Sequence, residues 1–431
     1  MNILVLSSTP WSNDNSFGLS YSNIFDGIDD LRFASVYCNP GQPDNPFDMV
    51  CFQITFETLV KNLKKPNVTT GRVIIPDKSD ATQRNAKEQN VFDTARKLRW
   101  QVLFWIRDFI WKIGRWNSPE FREFLDDFKP DLIFQPVYFS SYLSDIALFI
   151  KKYTGAPMVG YISDDNYTLR QFRFSPLYWI DRLYKRRKVK KVIENCDILY
   201  VISQIQKEEY EKIFTPPCKI LTKCADFCEP APEWTVPEGK IKMLYTGNLG
   251  QGRWKSLALI SDAVEKLNAE GQKIELDIYS ATPLTKKMKN SLSKNGSNIH
   301  PPVSFETVQT LQRETDVLVH IEGLSLKSRM AVHQSFSTKL VDYFQLGKCI
   351  FAVGKDDEAS IKHLIDNGAA VVARSTHEVY EKLKNLCENR ERIAHYGKKA
   401  YECGTKHHSK EEMQSMLLQD MKTVAANKNH S

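Results

Sequence analysis

No stretch of the sequence approaches the ~18 consecutive apolar residues of a membrane-spanning helix, so an integral helical membrane protein is not expected. The opening Met1-Asn2-Ile3-Leu4-Val5-Leu6 has no basic residue and only five apolar ones before Ser7, Ser8 and Pro10. It reads as a buried strand rather than a secretory leader. Internal repeats are lacking, and 19 glycines and 19 prolines are spread too thinly for a collagen-like or low-complexity chain. Only the polar tail Ala425–Ser431 lacks a structural pattern. The nine cysteines are odd in number and scattered, which fits a reducing cytoplasm and not a disulfide framework. Cys218, Cys224 and Cys228 lack the paired CxxC spacing of a zinc site and read as structural. A formal charge of +7 over 431 residues suits phosphate-bearing ligands or an anionic membrane surface, and falls short of a nucleic-acid-binding signature. The densest basic run, Lys185-Arg186-Arg187-Lys188-Val189-Lys190-Lys191, lacks interleaved aromatics and reads as a solvated helix face.

What is present is a regular alternation. Short apolar runs are followed by polar or Gly/Pro-containing loops and then by stretches of helical period, the pattern of parallel sheets covered by helices on both faces. In the first half the predicted strands are Ile3–Leu6, Phe33–Tyr37, Asp131–Phe134, Met158–Ile162 and Ile198–Ile202. Ser144–Tyr153, ended by Gly155 and Pro157, is a crossover helix with a clear stop. The prolines of Glu229-Pro230-Ala231-Pro232 and Pro237-Glu238-Gly239, without apolar periodicity, predict an interdomain linker over 229–240. A second series follows, with strands Lys242–Tyr245, Ile274–Tyr279, Val317–Ile321, Cys349–Val353 and Ala369–Val372. Its helices are Ser256–Ala269, Leu284–Ser293, one from Thr338 and one from Ala359. The chain is too long for one ordinary core, and the fold class expected is α/β, with doubly wound domains over 1–228 and 241–403. Ligands of such sheets bind beyond the carboxyl ends of the strands, so the two domains are expected to face each other across a cleft. That is the geometry of a two-substrate enzyme; it is also that of a periplasmic binding protein, against which the lack of a leader argues.

Three loops at strand carboxyl ends in the second half carry the chemistry. In Tyr245-Thr246-Gly247-Asn248-Leu249-Gly250-Gln251-Gly252-Arg253-Trp254-Lys255 a strand enters a three-glycine loop and a helix follows. Glycines let backbone N–H groups approach a phosphate, and the helix N-terminus favours the anion. Arg253 and Lys255 are placed to neutralise a diphosphate. In Gln334-Ser335-Phe336-Ser337-Thr338-Lys339-Leu340-Val341-Asp342-Tyr343, Ser337 or Thr338 caps a helix, and Lys339 sits in the first turn against the helix dipole, which points to an anion nearby. Asp342, one turn on, is positioned to accept ribose hydroxyl hydrogen bonds. In Asp316-Val317-Leu318-Val319-His320-Ile321-Glu322-Gly323, Glu322 directly follows a buried strand and is a candidate for contact with the donor or its sugar.

The order of GNLGxGR, DVLVHIE, FSTKLVDYFQLGKCIFAVG and then Asp366-Asn367-Gly368-Ala369-Ala370-Val371-Val372 resembles the donor domain of GT-B glycosyltransferases. It is most like the family 4 enzymes of bacterial surface polysaccharide assembly. In that group an S-x-K-x-x-[DE]-Y-x-x-x-G-K-P-I helix holds the nucleotide ribose and pyrophosphate, and Ser337, Lys339, Asp342, Tyr343, Gly347, Lys348 and Ile350 match it in register. The usual E-x7-E pair is not intact, since Gln334 stands eight residues before Asp342, and Cys349 replaces the usual proline. The resemblance covers Lys242–His408 well and the first half more loosely. It implies a last helix returning toward the first domain over 404–431, ahead of the polar tail. It also implies transfer of a sugar from a nucleotide-diphosphate donor to a hydroxyl of a glycan or polyprenyl-linked glycan, with retention of configuration and with neither metal nor cofactor. Gly247, Asn248, Gly250, Arg253, Lys255, Ser337, Thr338, Lys339 and Asp342 would bind the donor. A nucleotide-sugar epimerase of the same fold, needing no acceptor, and a non-catalytic binding subunit remain as alternatives.

In the first half, Ser7–Tyr21 reads as a long polar loop after the first strand, and the resemblance implies that it lies over the donor phosphates or the acceptor, with Asn15 and Gly18 as the acceptor-binding candidates. Gly160-Tyr161-Ile162-Ser163-Asp164-Asp165-Asn166 places two carboxylates at a strand end. Adjacent carboxylates raise one another's pKa, which suits one of them to polarise an acceptor hydroxyl, so Asp164 and Asp165 join Glu322 as catalytic candidates. The isolated pair forms no DxD metal-nucleotide motif. Between Arg96 and Trp116, Leu98, Val102, Trp105, Phe109, Ile113 and Trp116 form one helical stripe expected in the core. Trp100, Phe104 and Trp111 lie among basic residues on another side, for which contact with a lipid interface and packing under another element are both open. The expected location is cytoplasmic and peripheral to the membrane, with no nucleic-acid partner.

Overall fold

The computed structural model describes residues 1–75 except 14, 46 and 48, together with 101–227 and 230–427. Two compact units emerge: residues 1–202, 207–221 and 413–431 form one, and 203–206 with 222–412 form the other.

The sheet of the first unit contains β1 (Asn2–Ser7), β2 (Arg32–Tyr37), β3 (Met49–Ile54), β4 (Gly71–Ile74), β5 (Leu132–Pro136), β6 (Met158–Ile162), β7 (Ile198–Val201) and β8 (Cys218–Ile220), in the order β4-β3-β2-β1-β5-β6-β7-β8. Only the β3–β4 pair is antiparallel. Both faces are covered, which is why β1 is apolar without alternation: Ile3 and Val5 enter one core with Trp11, Phe25 and Leu417, while Leu4 and Leu6 enter another with Phe52, Trp111 and Phe121. The C-terminal helix Lys410–Asn427 belongs to the first of these cores through Leu417, Met421 and Val424. Asp420 on that helix accepts from Tyr200 Oη at 3.0 Å and pairs with Lys219 at 2.5 Å.

The sheet of the second unit contains β9 (Ile241–Thr246), β10 (Ile274–Tyr279), β11 (Ser297–His300), β12 (Val317–Ile321), β13 (Cys349–Val353) and β14 (Val371–Ala373), in the order β11-β10-β9-β12-β13-β14. All its strands are parallel. In sequence rank this is 3-2-1-4-5-6, the order of doubly wound nucleotide-binding sheets, and the winding reverses between β9 and β12.

Several expectations change at the level of packing. The segment expected as a linker over 229–240 is no free tether where it is described. Trp234 Nε1 donates to the Gly347 carbonyl at 3.1 Å, and Arg390 donates to the carbonyls of Pro237 and Gly239 at 2.8 and 2.6 Å. Its prolines exclude helix and strand, and side chains from the second unit satisfy its carbonyls instead. Residues 228 and 229, where the boundary was placed, lie outside the described residues, as does Cys228. The return to the first unit comes at residue 413 and not at 404, because the helix Glu391–His408 packs on β13. The polar tail begins later than expected, since 425–427 are still helical; 428–431 lie outside the described residues.

Ser7–Tyr21 is not one long loop, because a helix spans Ser16–Phe25. In the basic run, Lys185 is buried and lies 3.0 Å from Asp181 and 3.5 Å from Asp108, so that position is not on a solvated face. The stripe expected in the core around the helix Gln101–Ile113 is so only in part: Trp116 packs on the core. Trp111 packs under another element and not on lipid: it is 1% exposed and stacks on Tyr142 at 4.3 Å. Phe109 and Ile113, assigned to the core, are exposed. Aromatic and aliphatic residues occur on both sides of this helix, so periodicity alone does not say which side the sheet covers. Residues 96–100 of that segment lie outside the described residues.

Candidate functional site

The winding reversal in the second unit leaves a crevice beyond the carboxyl ends of β9 and β12, where doubly wound sheets bind ligands. The loops leaving those strands are the glycine loop at 247–252 and the turn beginning at Glu322.

The backbone donors of the glycine loop are largely satisfied, by the Tyr279–Thr282 segment and by the loop itself. Gly247 N donates to the Tyr279 carbonyl (3.0 Å), Leu249 N to Thr282 Oγ1 (3.0 Å) and Gly250 N to Asn248 Oδ1 (2.5 Å). The N–H groups of Arg253, Trp254 and Lys255, opening the helix Arg253–Ala269, reach back to carbonyls of the same loop. A cradle of open backbone donors is therefore less developed than the glycines suggested. Their role is to let side chains close in. Gly247 has φ +153°, and a Cβ there would lie 2.6 Å from Lys339 Nζ.

Positive charge at the crevice comes from two side chains, Arg253, which pairs with Glu322, and Lys339, whose ammonium lies on the Thr246 carbonyl. Arg253 donates through Nε and Nη2 to Glu322 Oε2 at 3.0 and 2.8 Å. Glu322 is 4% exposed, so it is no solvated loop residue. Burial pushes its carboxyl above the usual range, while the charges of Arg253 and Lys339 pull it back. Lys339 opens the helix Lys339–Gln345, after Thr338 at an N-cap that makes no side-chain capping bond. The lysine keeps some exposed surface along its length, yet its ammonium is enclosed. Nζ donates to the Thr246 carbonyl at 2.9 Å and sits 5.2 Å from the centre of the Tyr245 ring. Burial, and then the charge of Arg253, lower its pKa to about 8. The Thr246 carbonyl is the acceptor that the structure gives this first-turn lysine. His320, two residues earlier on β12, is buried and held neutral: burial and the charges of Lys339 and Arg253 lower its pKa to about 3.

Other expected donor residues are placed around this centre to different degrees. Asp342 pairs with Lys223 at 2.5 Å. Ser337 N donates to Ser360 Oγ at 2.9 Å. Asn248 shapes the loop, its carbonyl accepting from Tyr245 Oη at 2.8 Å. Lys255 is exposed beside Trp254 and is not part of the Arg253–Glu322 pair. Glu358 escaped sequence reasoning. It is 1% exposed, accepts from Lys355 N at 2.6 Å, and its pKa is raised to about 8 by burial first and the charge of Glu322 after it. The available signal was its place just past the carboxyl end of β13, a strand-end position like that of Glu322.

In the first unit the Asp164–Asp165 pair divides. Asp165 is 4% exposed, and Oδ1 accepts from Thr168 N at 2.7 Å and Tyr167 N at 3.3 Å, with the Thr168 hydroxyl on Oδ2. That carboxylate builds the turn. Asp164 is exposed, and its carboxyl is held above the ordinary value by the packing around the strand end and then by Asp165. Asn15 caps the helix Ser16–Phe25 by accepting from Gly18 N at 2.8 Å. A Cβ at Gly18 would lie 1.9 Å from the Ser12 carbonyl oxygen, so this glycine is required by close backbone approach.

No protein-family model matches the sequence, and no curated protein matches it. The backbone is nevertheless similar along its length to solved structures. A sucrose-phosphate synthase from Thermosynechococcus elongatus aligns with a TM-score of 0.62 at 10% identity, over 99% of this chain and 100% of that one. Anabaena HepE, solved in complex with UDP, aligns with a TM-score of 0.61 at 11% identity over 98% and 100%. The N-terminal domain of Candida albicans trehalose-6-phosphate phosphatase aligns with a TM-score of 0.60 at 12% identity over 98% and 99%. The fold is that of the GT-B glycosyltransferases, with two Rossmann-like domains.

Proposed function

We propose that the protein transfers a glycosyl unit from a nucleotide-diphosphate sugar to a hydroxyl of a glycan or polyprenyl-linked glycan acceptor. The observation that carries this reading is the pairing of Arg253 with Glu322 at the winding reversal of the second sheet, with the Lys339 ammonium on the Thr246 carbonyl at the end of the neighbouring strand. A departing diphosphate needs positive charge that is in place before the bond breaks. Two cations held by the fold, the Lys339 ammonium enclosed and Arg253 partly exposed, supply it without a metal ion. Binding the diphosphate draws Arg253 partly from Glu322, leaving that carboxylate to contact the sugar. Asp342 takes the ribose hydroxyls, Ser337 and Thr338 flank the phosphates, and Gly247, Asn248, Gly250 and Lys255 border the nucleotide. In the first unit Asp164 orients the acceptor hydroxyl or takes its proton, with Asp165 fixing the turn and Asn15 and Gly18 shaping the loop beside it. Anabaena HepE, which shares the fold, was solved with UDP, and this favours a uridine donor. The resemblance to family 4 adds retention of configuration and a place in surface polysaccharide synthesis.

The test is calorimetric titration of the intact protein with UDP, GDP, dTDP and CMP, followed by incubation of the matching labelled sugar donor with and without a glycan acceptor pool. Binding of one nucleotide, lost in Lys339→Ala at unchanged circular dichroism, and label moving to acceptor are expected. Unaltered affinity in Lys339→Ala rules out the donor site. Isomerised donor in the absence of acceptor points instead to an epimerase.

A further inference from the structure

The outward face of the first unit's helix Gln101–Ile113 is unusually apolar. Leu103, Ile106, Phe109 and Ile113 recur at helical spacing and all are exposed, Phe109 by 60%. The helix Pro176–Ile193 repeats the pattern with Leu177, Ile180, Leu183 and Tyr184, Ile180 being 59% exposed. The two helices are locked together underneath. Trp105 Nε1 donates to Asp181 Oδ1 at 3.1 Å, and the buried Lys185 ammonium lies 3.0 Å from Asp181 and 3.5 Å from Asp108. A groove of about 260 Å³ runs between them, walled by Phe109, Ile180 and Tyr184. Just before the second helix, Phe174 is 96% exposed, edge-on to Phe172 at 4.8 Å.

Scattered apolar side chains on a surface need no explanation, but a continuous patch built from two helices and a loop does. Its charge selects the occupant. Within the two helices the only carboxylates are Asp108 and Asp181, and both are engaged by Lys185, Asp108 also by Arg107. Every other charge there is positive. Lys112 and, just past the first helix, Arg115 are exposed, and so is Arg173 in the loop. Beyond Tyr184 the exposed face of the second helix turns to Arg187, Lys190 and Lys191. A second copy of this chain would set basic groups against basic groups. A surface offering anionic headgroups at its rim and hydrocarbon beneath satisfies both halves of the patch.

We propose that this face rests on an anionic lipid bilayer, with Phe109, Ile180 and Phe174 entering the acyl boundary and Arg187, Lys190 and Lys191 on the headgroups. The proposal is independent of the donor-site reading, since it uses only residues of the first unit. The intact chain is to be co-sedimented with vesicles of phosphatidylcholine containing one third phosphatidylglycerol and with vesicles of phosphatidylcholine alone, at low and high salt. Binding to the anionic vesicles, weakened by salt, is expected. Roughly tenfold or greater loss is expected in Phe109→Asp/Ile180→Asp and also in Arg187→Glu/Lys190→Glu/Lys191→Glu. All these positions are exposed, so circular dichroism and the unfolding midpoint are expected to stay at wild-type values. Failure to bind anionic vesicles, or wild-type binding by both variants, overturns the proposal. So does a dimer in size-exclusion chromatography that Phe109→Asp/Ile180→Asp converts to monomer without any vesicle binding, because the face would then serve self-association.

Discussion

Lys339→Met is expected to weaken donor binding and, at the same time, to stabilise the second unit. The lysine's pKa in the fold is about 8 against an ordinary 10.5, which corresponds to about 3 kcal/mol of charge burial at neutral pH. The sign follows from proton counting. Between these two values the unfolded chain holds more protons than the folded one, so wild-type stability rises as pH climbs from about 8 toward 10.5 and is flat with respect to this group below about 8. Methionine fills a similar volume and removes the buried charge, while the hydrogen bond to the Thr246 carbonyl is lost at about 1 kcal/mol. The net gain is about 2 kcal/mol, or a rise of roughly 4–8 °C in the unfolding midpoint of a unit this size. A cation hydrogen-bonded to a diphosphate contributes about 1.5–3 kcal/mol, so UDP binding should weaken roughly ten- to hundredfold. Wild-type affinity should also fall above about pH 8 as the ammonium loses its proton, by at most about tenfold per pH unit, and that dependence should vanish in the variant. Calorimetric titration with UDP from about pH 7 to 9.5, beside thermal unfolding, measures both effects. A variant that binds UDP as tightly as wild type with the same pH slope, or that unfolds at lower temperature, would refute the reasoning.

Glu322→Ala leaves Arg253 without its carboxylate partner, and should cost about 1.5–3 kcal/mol in urea unfolding; a loss below about 0.5 kcal/mol would show that the pair carries no structural weight. Asp165→Ala, which strips the acceptor from Thr168 and Tyr167, should cost about 1–2 kcal/mol. Asp164→Asn should instead leave stability within about 0.5 kcal/mol and lower kcat more than it raises KM, and full turnover in Asp164→Asn would remove it from the mechanism. Trp111→Ala should destabilise by about 3–5 kcal/mol, whereas Phe109→Ala, on the outward face of the same helix, should stay within about 0.5 kcal/mol. Equal losses at the two positions would contradict the orientation of that helix.

Strands buried on both faces leave apolar runs, and the sequence by itself determined most of those, though the interior strand Met49–Ile54, interrupted by Gln53, went unread. Met158–Ile162, Ile274–Tyr279, Val317–Ile321 and Cys349–Val353 are legible to the residue, and so is the stop at Gly155, whose φ of +63° ends the preceding helix. The α/β class follows from their alternation with helices, because no other packing hides such strands. The short edge strands Gly71–Ile74, Cys218–Ile220 and Ser297–His300 carry no comparable run, since an edge needs less burial, and they went unread. The three loops of the candidate site were also legible, because glycines and charges at strand ends are local features. Only tertiary structure decided what those charges do. It brought Arg253 onto the buried Glu322, far away in sequence, enclosed the Lys339 ammonium on the end of the neighbouring strand, and buried Glu358. It made Asp165 a turn builder and left Asp164 exposed, and it turned Trp111 inward and Phe109 outward. Electrostatic energy depends on separation and desolvation, and burial depends on which neighbour covers a face. Neither is a property of any single segment, so both had to wait for the packed chain.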